Sequence, residues 1–286
     1  MTTIRNPIEW GYDQLRITAA ALGSAGRAVM TPEERAAAVP EIRRIELRDL
    51  GDALRRGVDD FLVHRTDVIA LCVIFPAIGL LVVRLSLGYQ MLPLIFPLAS
   101  GFALIGPLAA IGLYEMSRRR ERDLHVSWPD AFGVVRAPAF GKIVALGLWL
   151  IAIYVLWLVT AETIYDMTLG PAAPLSVGSF LADTFTTAAG WTMIVVGIGV
   201  GFLFALAVLA ISIVSFPLLL DRDVGFDAAI LASLRAVATN PLPVMAWGGI
   251  VAAGLVLGSI PAFLGLVFVV PVLGHATWHL YRKLVA

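Results

Sequence analysis

From Trp191 to Phe216 the chain runs for 26 residues without one charged side chain, and five further stretches are nearly as apolar. A hydrocarbon core roughly 30 Å thick is crossed by about 20 apolar residues in helical form. The candidate spans are Val68 to Leu87, Leu92 to Tyr114, Ile143 to Thr163, Trp191 to Phe216, Val244 to Ile260 and Ala262 to Trp278. The last two are short and parted by "SIPAF"; Pro261 and a combined length well beyond one span favour a hairpin over a single long helix. Backbone amides in lipid must be satisfied within the segment, so the expected fold class is all-α: a polytopic membrane protein of six transmembrane helices. Composition agrees, with 15% charged and 59% hydrophobic residues, against about 25% charged in soluble domains.

Charge orients the spans. Six crossings put residues 1–67, 115–142, 217–243 and 279–286 on one side, and these hold 20 of the 21 Lys and Arg residues. The exception, Arg84, lies near the far end of the first span, where a long side chain can snorkel to headgroups. The segment from Ile164 to Gly190 carries Asp166 and Asp183 and no base. By the positive-inside rule both termini are cytoplasmic. Residues 1–40 mix acids and bases without an apolar core, so no signal peptide is expected. A net charge of zero argues against nucleic acid as a partner. With Cys72 as the single cysteine there is no intramolecular disulfide framework.

Three amphipathic stretches precede the odd-numbered spans, and each opens with an Asp-Ala pair: Asp52-Ala53, Asp130-Ala131 and Asp227-Ala228. Sixteen residues on from each Asp lie Val68, Leu146 and Pro243, the beginnings of spans. Leu47, Leu50, Leu54, Val58 and Phe61 form an apolar stripe in the first stretch; Ile230, Leu231, Leu234 and Val237 do so in the third. The expectation is three parallel repeats, about 41–120, 121–222 and 223–286, each an interfacial helix feeding a helical hairpin. The three Asp residues would act as N-terminal anchors of those helices. Residues 1–40 stand apart as a cytoplasmic segment, with a helical stripe of Ile8, Tyr12, Leu15, Ala19 and Leu22 and a linker, ahead of a transmembrane domain over 41–286.

The even-numbered spans also match: "IGPLAAIGLYEMSRR" and "VVPVLGHATWHLYRK" align without gaps, pairing Pro107 with Pro271 and Glu115 with His279. The segments "YEMSRRRE", "FPLLLDRDVGFDAAILASLRAVATNP" and "PVLGHATWHLYR" resemble a bacterial family of predicted integral membrane proteins catalogued as a domain of unknown function. The resemblance covers roughly residues 40–286. It implies a six-helix, multi-pass protein of the bacterial inner membrane and no particular activity. Members are sometimes labelled similar to cytochrome c oxidase subunit I. That subunit needs six His ligands on several helices, whereas this chain has four His in all, with only His275 and His279 at a span. One helix face cannot supply opposed axial ligands to a haem iron.

His275 and His279 share a helix face at i, i+4, which admits two readings. They could hold one metal ion with help from Glu115 or Asp221 at a similar depth. Alternatively His279 sits in an aromatic belt with Trp278 and Tyr281 while His275 is hydrogen-bonded within the bundle. The second reading is preferred, because no further ligand motif appears, and no metal or other cofactor is expected. Glu115 faces Arg118 and Arg119 at i+3 and i+4, a spacing for local ion pairs. Asp221 sits in "DRD" beside Arg222, and Glu162 at the outer end of the third span. No nucleophile, phosphate-loop or zinc-helix motif is present, so the chain is not expected to be an enzyme. The glycines of "GFALIGPLAAIG" and "GIGVGFLFA" read as close helix packing rather than as a hinge around a solute. Two function classes remain. One is a non-catalytic accessory, assembly or scaffold component contacting the lipid bilayer and a membrane-protein partner or a second copy. The alternative is a small-solute permease or channel with a site near the cytoplasmic ends of the even-numbered helices.

Overall fold

A computed structural model of the chain describes residues 39–63, 68–69, 72–88 and 91–286, of which 40–286 belong to one compact unit. The stripe and linker expected in residues 1–38 lie outside the described residues. Among those described, all regular structure is helical apart from one isolated bridge between Ile42 and Val285. The helices are α1 (Leu47–Val63), α2 (Ile74–Gly88), α3 (Ile95–Ala99), α4 (Gly101–Leu104), α5 (Gly106–Ala109), α6 (Ile111–Glu121), α7 (Phe140–Thr168), α8 (Val177–Thr186), α9 (Ala188–Ser212), α10 (Ser215–Asp221), α11 (Phe226–Thr239), α12 (Pro241–Ser259) and α13 (Leu266–Leu284). Among the described residues, three helical runs are long and apolar enough to cross a membrane: α7, the run Ala188–Asp221 that joins α9 and α10, and α12. Ile74–Leu87 and Leu92–Leu104 are shorter apolar helices.

The expected second span, Leu92 to Tyr114, is not one continuous helix. It is a 3-10 turn followed by α3, α4, α5 and the start of α6, with breaks at Ser100, Ile105 and Ala110. The cause lies in the sequence: Pro93, Pro97 and Pro107 have no N–H to give, and Ser100 Oγ donates to the Pro97 carbonyl at 2.6 Å. A turn does part the two helices at Pro261. α12 ends at Ser259, Ala262 (φ 51°) and Phe263 (φ 64°) adopt left-handed backbone, and α13 begins at Leu266.

The three amphipathic stretches are not equivalent. α1 runs antiparallel along α13. Lys283 bonds Asp49 and Asp52 near one end, and Phe61 meets Phe268 edge-on at the other, with ring centroids 6.0 Å apart. Between them the helices touch at Gly57, where a Cβ would lie 2.6 Å from the Val272 carbonyl oxygen. The second stretch is a 3-10 helix, Trp128–Arg136. The third, α11, packs by Ala228, Ala229, Ala232, Ser233 and Ala236. Ser215 Oγ of α10 donates to the α11 carbonyl of Ala229 at 3.0 Å.

The anchors differ accordingly. In the first stretch Asp49, not Asp52, accepts the backbone N–H of Glu46, at 2.8 Å. Asp130 accepts from the backbone and hydroxyl of Ser127 at 2.9 and 2.8 Å, as expected of a helix start. Asp227 lies in the first turn of α11. The apolar stripe of α1 is divided between its inner and outer faces. α1 buries Leu50, Ala53, Gly57, Asp60 and Phe61 and turns Leu47, Val58, Leu62 and Val63 outward. Small residues let helices approach closely, and large apolar side chains cost nothing where the surrounding solvent is lipid.

Between the broken second span, α9, α12 and α13 lies an apolar chamber of about 350 Å³. At about 24 cal/mol per Å³, an unfilled void of that size would cost on the order of 8 kcal/mol, comparable with the whole stability of a domain. Its lining is therefore a contact surface rather than part of a closed core. Gly101 and Gly201 do serve close packing: a Cβ would lie 2.9 Å from the Tyr154 ring and 3.0 Å from the Trp157 ring, respectively. Gly106, Gly197 and Gly199 face open space.

Candidate functional site

The densest chemistry sits where α1, α6 and α13 converge. The i, i+3, i+4 face of α1 that carries Leu50, Ala53 and Gly57 continues to Asp60, so the spacing that packs the helix also drives a carboxylate inward. Asp60 is 5% exposed, Ser117 of α6 1% and His275 of α13 1%. Ser117 Oγ donates to Asp60 Oδ2 at 2.5 Å, and His279 Nε2 lies 2.9 Å from the same oxygen. Arg120 donates to Asp60 Oδ1. His275 Nδ1 is 2.7 Å from Ser117 Oγ. A hydroxyl has one proton, and Asp60 takes it, so the His275 Nδ1 must carry a hydrogen and donate to Ser117. The chain of bonds runs from His275 through Ser117 to Asp60, with His279 and Arg120 donating from the other side.

Burial alone would raise the Asp60 carboxyl. The hydrogen bonds from His279 and Ser117, with the nearby His275, outweigh it and hold the group below its ordinary range. Asp60 is thus an ionised, fully satisfied carboxylate. The order of groups also matters chemically. In a nucleophilic triad the imidazole stands between hydroxyl and carboxylate and takes the hydroxyl proton. Here Ser117 donates a hydrogen bond directly to the Asp60 carboxylate, and the imidazole donates to the serine oxygen. This arrangement holds three helices together and does not activate the hydroxyl.

Around this core the segment "YEMSRRRERD" distributes its charges to several different elements. Arg118 pairs with Glu115 at 2.8 Å and donates to the Leu220 carbonyl of α10. Arg119 reaches Asp130 at 3.1 Å, and Arg122 reaches Asp221 at 3.4 Å. From α13, Trp278 Nε1 donates to Glu121 at 3.2 Å, Tyr281 to Asp221 at 2.9 Å and Arg282 to Glu121 at 3.0 Å. Burial, then the neighbouring Asp221, pushes the Tyr281 phenol up. A polar cleft of about 590 Å³ opens beside these groups, lined by Arg56, Asp59, Asp60, Arg120, His279 and Lys283 among others.

The residues weighed as metal ligands separate into two places. His275 and His279 do lie together, bridged through Ser117 and Asp60. Glu115 and Asp221 do not join them: Glu115 is taken by Arg118, and Asp221 by Tyr281 with Arg122 and Arg282. Among the described residues, no group of three or more His, Cys, Asp and Glu side chains is disposed to hold a metal ion. His275 is hydrogen-bonded to Ser117, and His279 to Asp60. No sequence motif marks Asp60 and Ser117, the centre of the site. The available signal was an acid in register with small residues on one helical face.

Residues 95–221 match the family model described as "Predicted integral membrane protein (DUF2189)", which bears out the resemblance over that stretch. The matched segment begins with α3 and ends with Asp221, so it contains Ser117, the arginine-rich end of α6 and the apolar run of α9. No curated protein and no solved structure matches the chain.

Proposed function

We propose, for a chain whose residues 95–221 carry the pattern of this predicted integral membrane family, that it is a non-catalytic accessory, assembly or scaffold component of a bacterial inner membrane. In this reading it has six spans, both termini are cytoplasmic, and the polar hub lies at the cytoplasmic surface. The observation that carries it is the exposure of α9. Only 6% of the most apolar window of Ala188–Asp221 is buried against the rest of the chain, compared with 28% for α7 and 22% for α12. Gly197 and Gly199 on α9 face open space, the kind of surface on which a second membrane helix packs closely. The hub fits a structural part, because its charges are paired with one another across helices. The bundle chamber is lined mainly by apolar side chains, which supports this reading over a polar-solute permease.

The test is affinity purification of the full chain in mild detergent with mass spectrometry of what co-purifies, for the wild type and for Gly197→Leu. A stoichiometric membrane partner, or a second copy, that is lost in the variant is the expected result. A monomer without a partner that moves a solute across reconstituted vesicles would replace this reading with the permease.

A further inference from the structure

The apolar chamber is open on one side. Along α9 its lining includes Phe202, Ala205 and Leu209, and along α12 Met245, Gly249 and Ala252. Phe202, Ala205, Met245, Gly249 and Ala252 are all exposed. Both sets recur at three- and four-residue steps, so they form one stripe on each helix, and the chamber is a groove between two membrane-crossing helices that faces the bilayer. Few polar groups line it: the hydroxyls of Tyr114, Ser212 and Thr277 stand among more than twenty apolar residues. Ordered water needs two to four polar partners each, and a groove of this size cannot supply them along its length. A dry apolar cavity of about 150 Å³ takes a six-carbon ring, so about 350 Å³ corresponds to about fourteen carbons.

The sequence-adjacent helix α11 packs on α9 and leads directly into α12. It carries Arg235, which is exposed and forms no ion pair among the described residues. In the proposed orientation that arginine stands at headgroup level on the cytoplasmic side, where juxtamembrane bases attract anionic lipid.

We propose that the groove between α9 and α12 is a binding site for an anionic phospholipid, one acyl chain lying along the groove and the phosphate headgroup at the Arg235 end. This inference rests on the orientation in the functional reading but not on any partner at α9. A single chain is the occupant that matches the volume, the lining and the side from which the groove opens. A second membrane helix is much wider than one hydrocarbon chain, since a helix with its side chains is about 10 Å across.

The experiment uses the purified full chain in phosphatidylcholine vesicles containing phosphatidylglycerol with a photoactivatable diazirine at the middle of one acyl chain. After irradiation, labelled peptides are mapped by mass spectrometry. Label is expected to concentrate on Ala205, Leu209 and Ala252 at several times the density found on the exposed residues Leu148 and Val195. Gly249→Leu, whose Cβ meets nothing within 4 Å, and Ala252→Phe should each lower groove label at least fivefold, while Leu148→Phe leaves it unchanged. Arg235→Gln should lower labelling by the phosphatidylglycerol probe toward that of a phosphatidylcholine probe carrying the same diazirine. Groove label no denser than on Leu148 and Val195 overturns the site, and that contrast is read in the wild type even if a filled variant fails to fold. Equal labelling of the wild-type groove by the two probes overturns the headgroup assignment. Absence of groove label in a protein that sediments as a dimer would make the groove an oligomer interface. Loss of a co-purifying partner in Gly197→Leu with groove label intact separates this site from the scaffold surface.

Discussion

Replacing Asp60 removes the acceptor on which three helices converge. In Asp60→Ala, His279 loses its 2.9 Å partner, Ser117 loses the acceptor of its proton, and Arg120 loses its ion pair. Breaking a buried pair from one side costs about 3–5 kcal/mol, because the remaining charge is left uncompensated. The Arg120 side chain is 35% exposed and can turn to water, which places the loss near the lower end, about 3 kcal/mol. For a protein of this size about 2–4 °C is lost per kcal/mol, so the midpoint of thermal unfolding in detergent should fall by about 6–12 °C. Asp60→Asn keeps an acceptor for Ser117 and should lose less. The pH profile gives a second measurement. The folded carboxyl lies below the ordinary value of 3.8, so its contribution is complete above that value and is lost as pH falls through the lower, folded one. Wild-type stability should therefore drop more steeply than that of Asp60→Asn below about pH 4. A midpoint in Asp60→Ala within 2 °C of wild type, or parallel acid profiles for wild type and Asp60→Asn, would refute the view that this carboxylate is ionised and holds the helices together.

Gly57→Ala should destabilise by about 1–3 kcal/mol although alanine is the better helix former, because its Cβ would sit 2.6 Å from backbone oxygen of α13; an unchanged melting midpoint would count against the α1–α13 contact. Ser127→Ala should cost about 0.5–1.5 kcal/mol, because the hydroxyl bond to Asp130 is lost while the backbone N–H bond to the same carboxylate remains, read by thermal unfolding. Reporter fusions after Gly88, Pro171 and Ser259 should score on the outer side and those after Arg120, Asp223 and Ala286 in the cytoplasm; an external Ala286 would end the six-span reading. His275→Ala combined with His279→Ala should leave the metal content of purified protein unchanged, and stoichiometric zinc, iron or copper lost in that variant would restore the metal reading.

The features legible in sequence were the ones set by neighbours along the chain. The runs of α7, α9 and α12 follow from hydropathy, the turn after Ser259 from Pro261, and the Glu115–Arg118 pair from its spacing of three. The segmentation of Leu92 to Tyr114 was foreshadowed by three prolines, but hydropathy is blind to missing N–H donors and reads one span. The apolar stripe on α1 is only partly a contact face, with Leu50 and Phe61 buried and Leu47 and Val58 exposed; Ala, Gly and Ser determine much of the contact instead. The site was half legible. His275 and His279 announce themselves four residues apart, whereas Asp60 is 219 residues from His279 and Ser117 is 158 from His275. No local pattern specifies which acid, over such a separation, will close on which imidazole.

The pairing of α1 with α13 also sets a clock on biogenesis. A ribosome adds about 5–20 residues per second, so the 219 residues between Asp60 and His279 take about 10–45 s to make. During that interval the Asp60 carboxylate gains Ser117 and Arg120 of α6 as partners but not yet His279 of α13. Until α13 is made, the small-residue face of α1 that meets it at Gly57 is undocked. A chain truncated ahead of Leu266 would carry α1 without the helix it packs against, its small-residue face and the Lys283 partners Asp49 and Asp52 left open together.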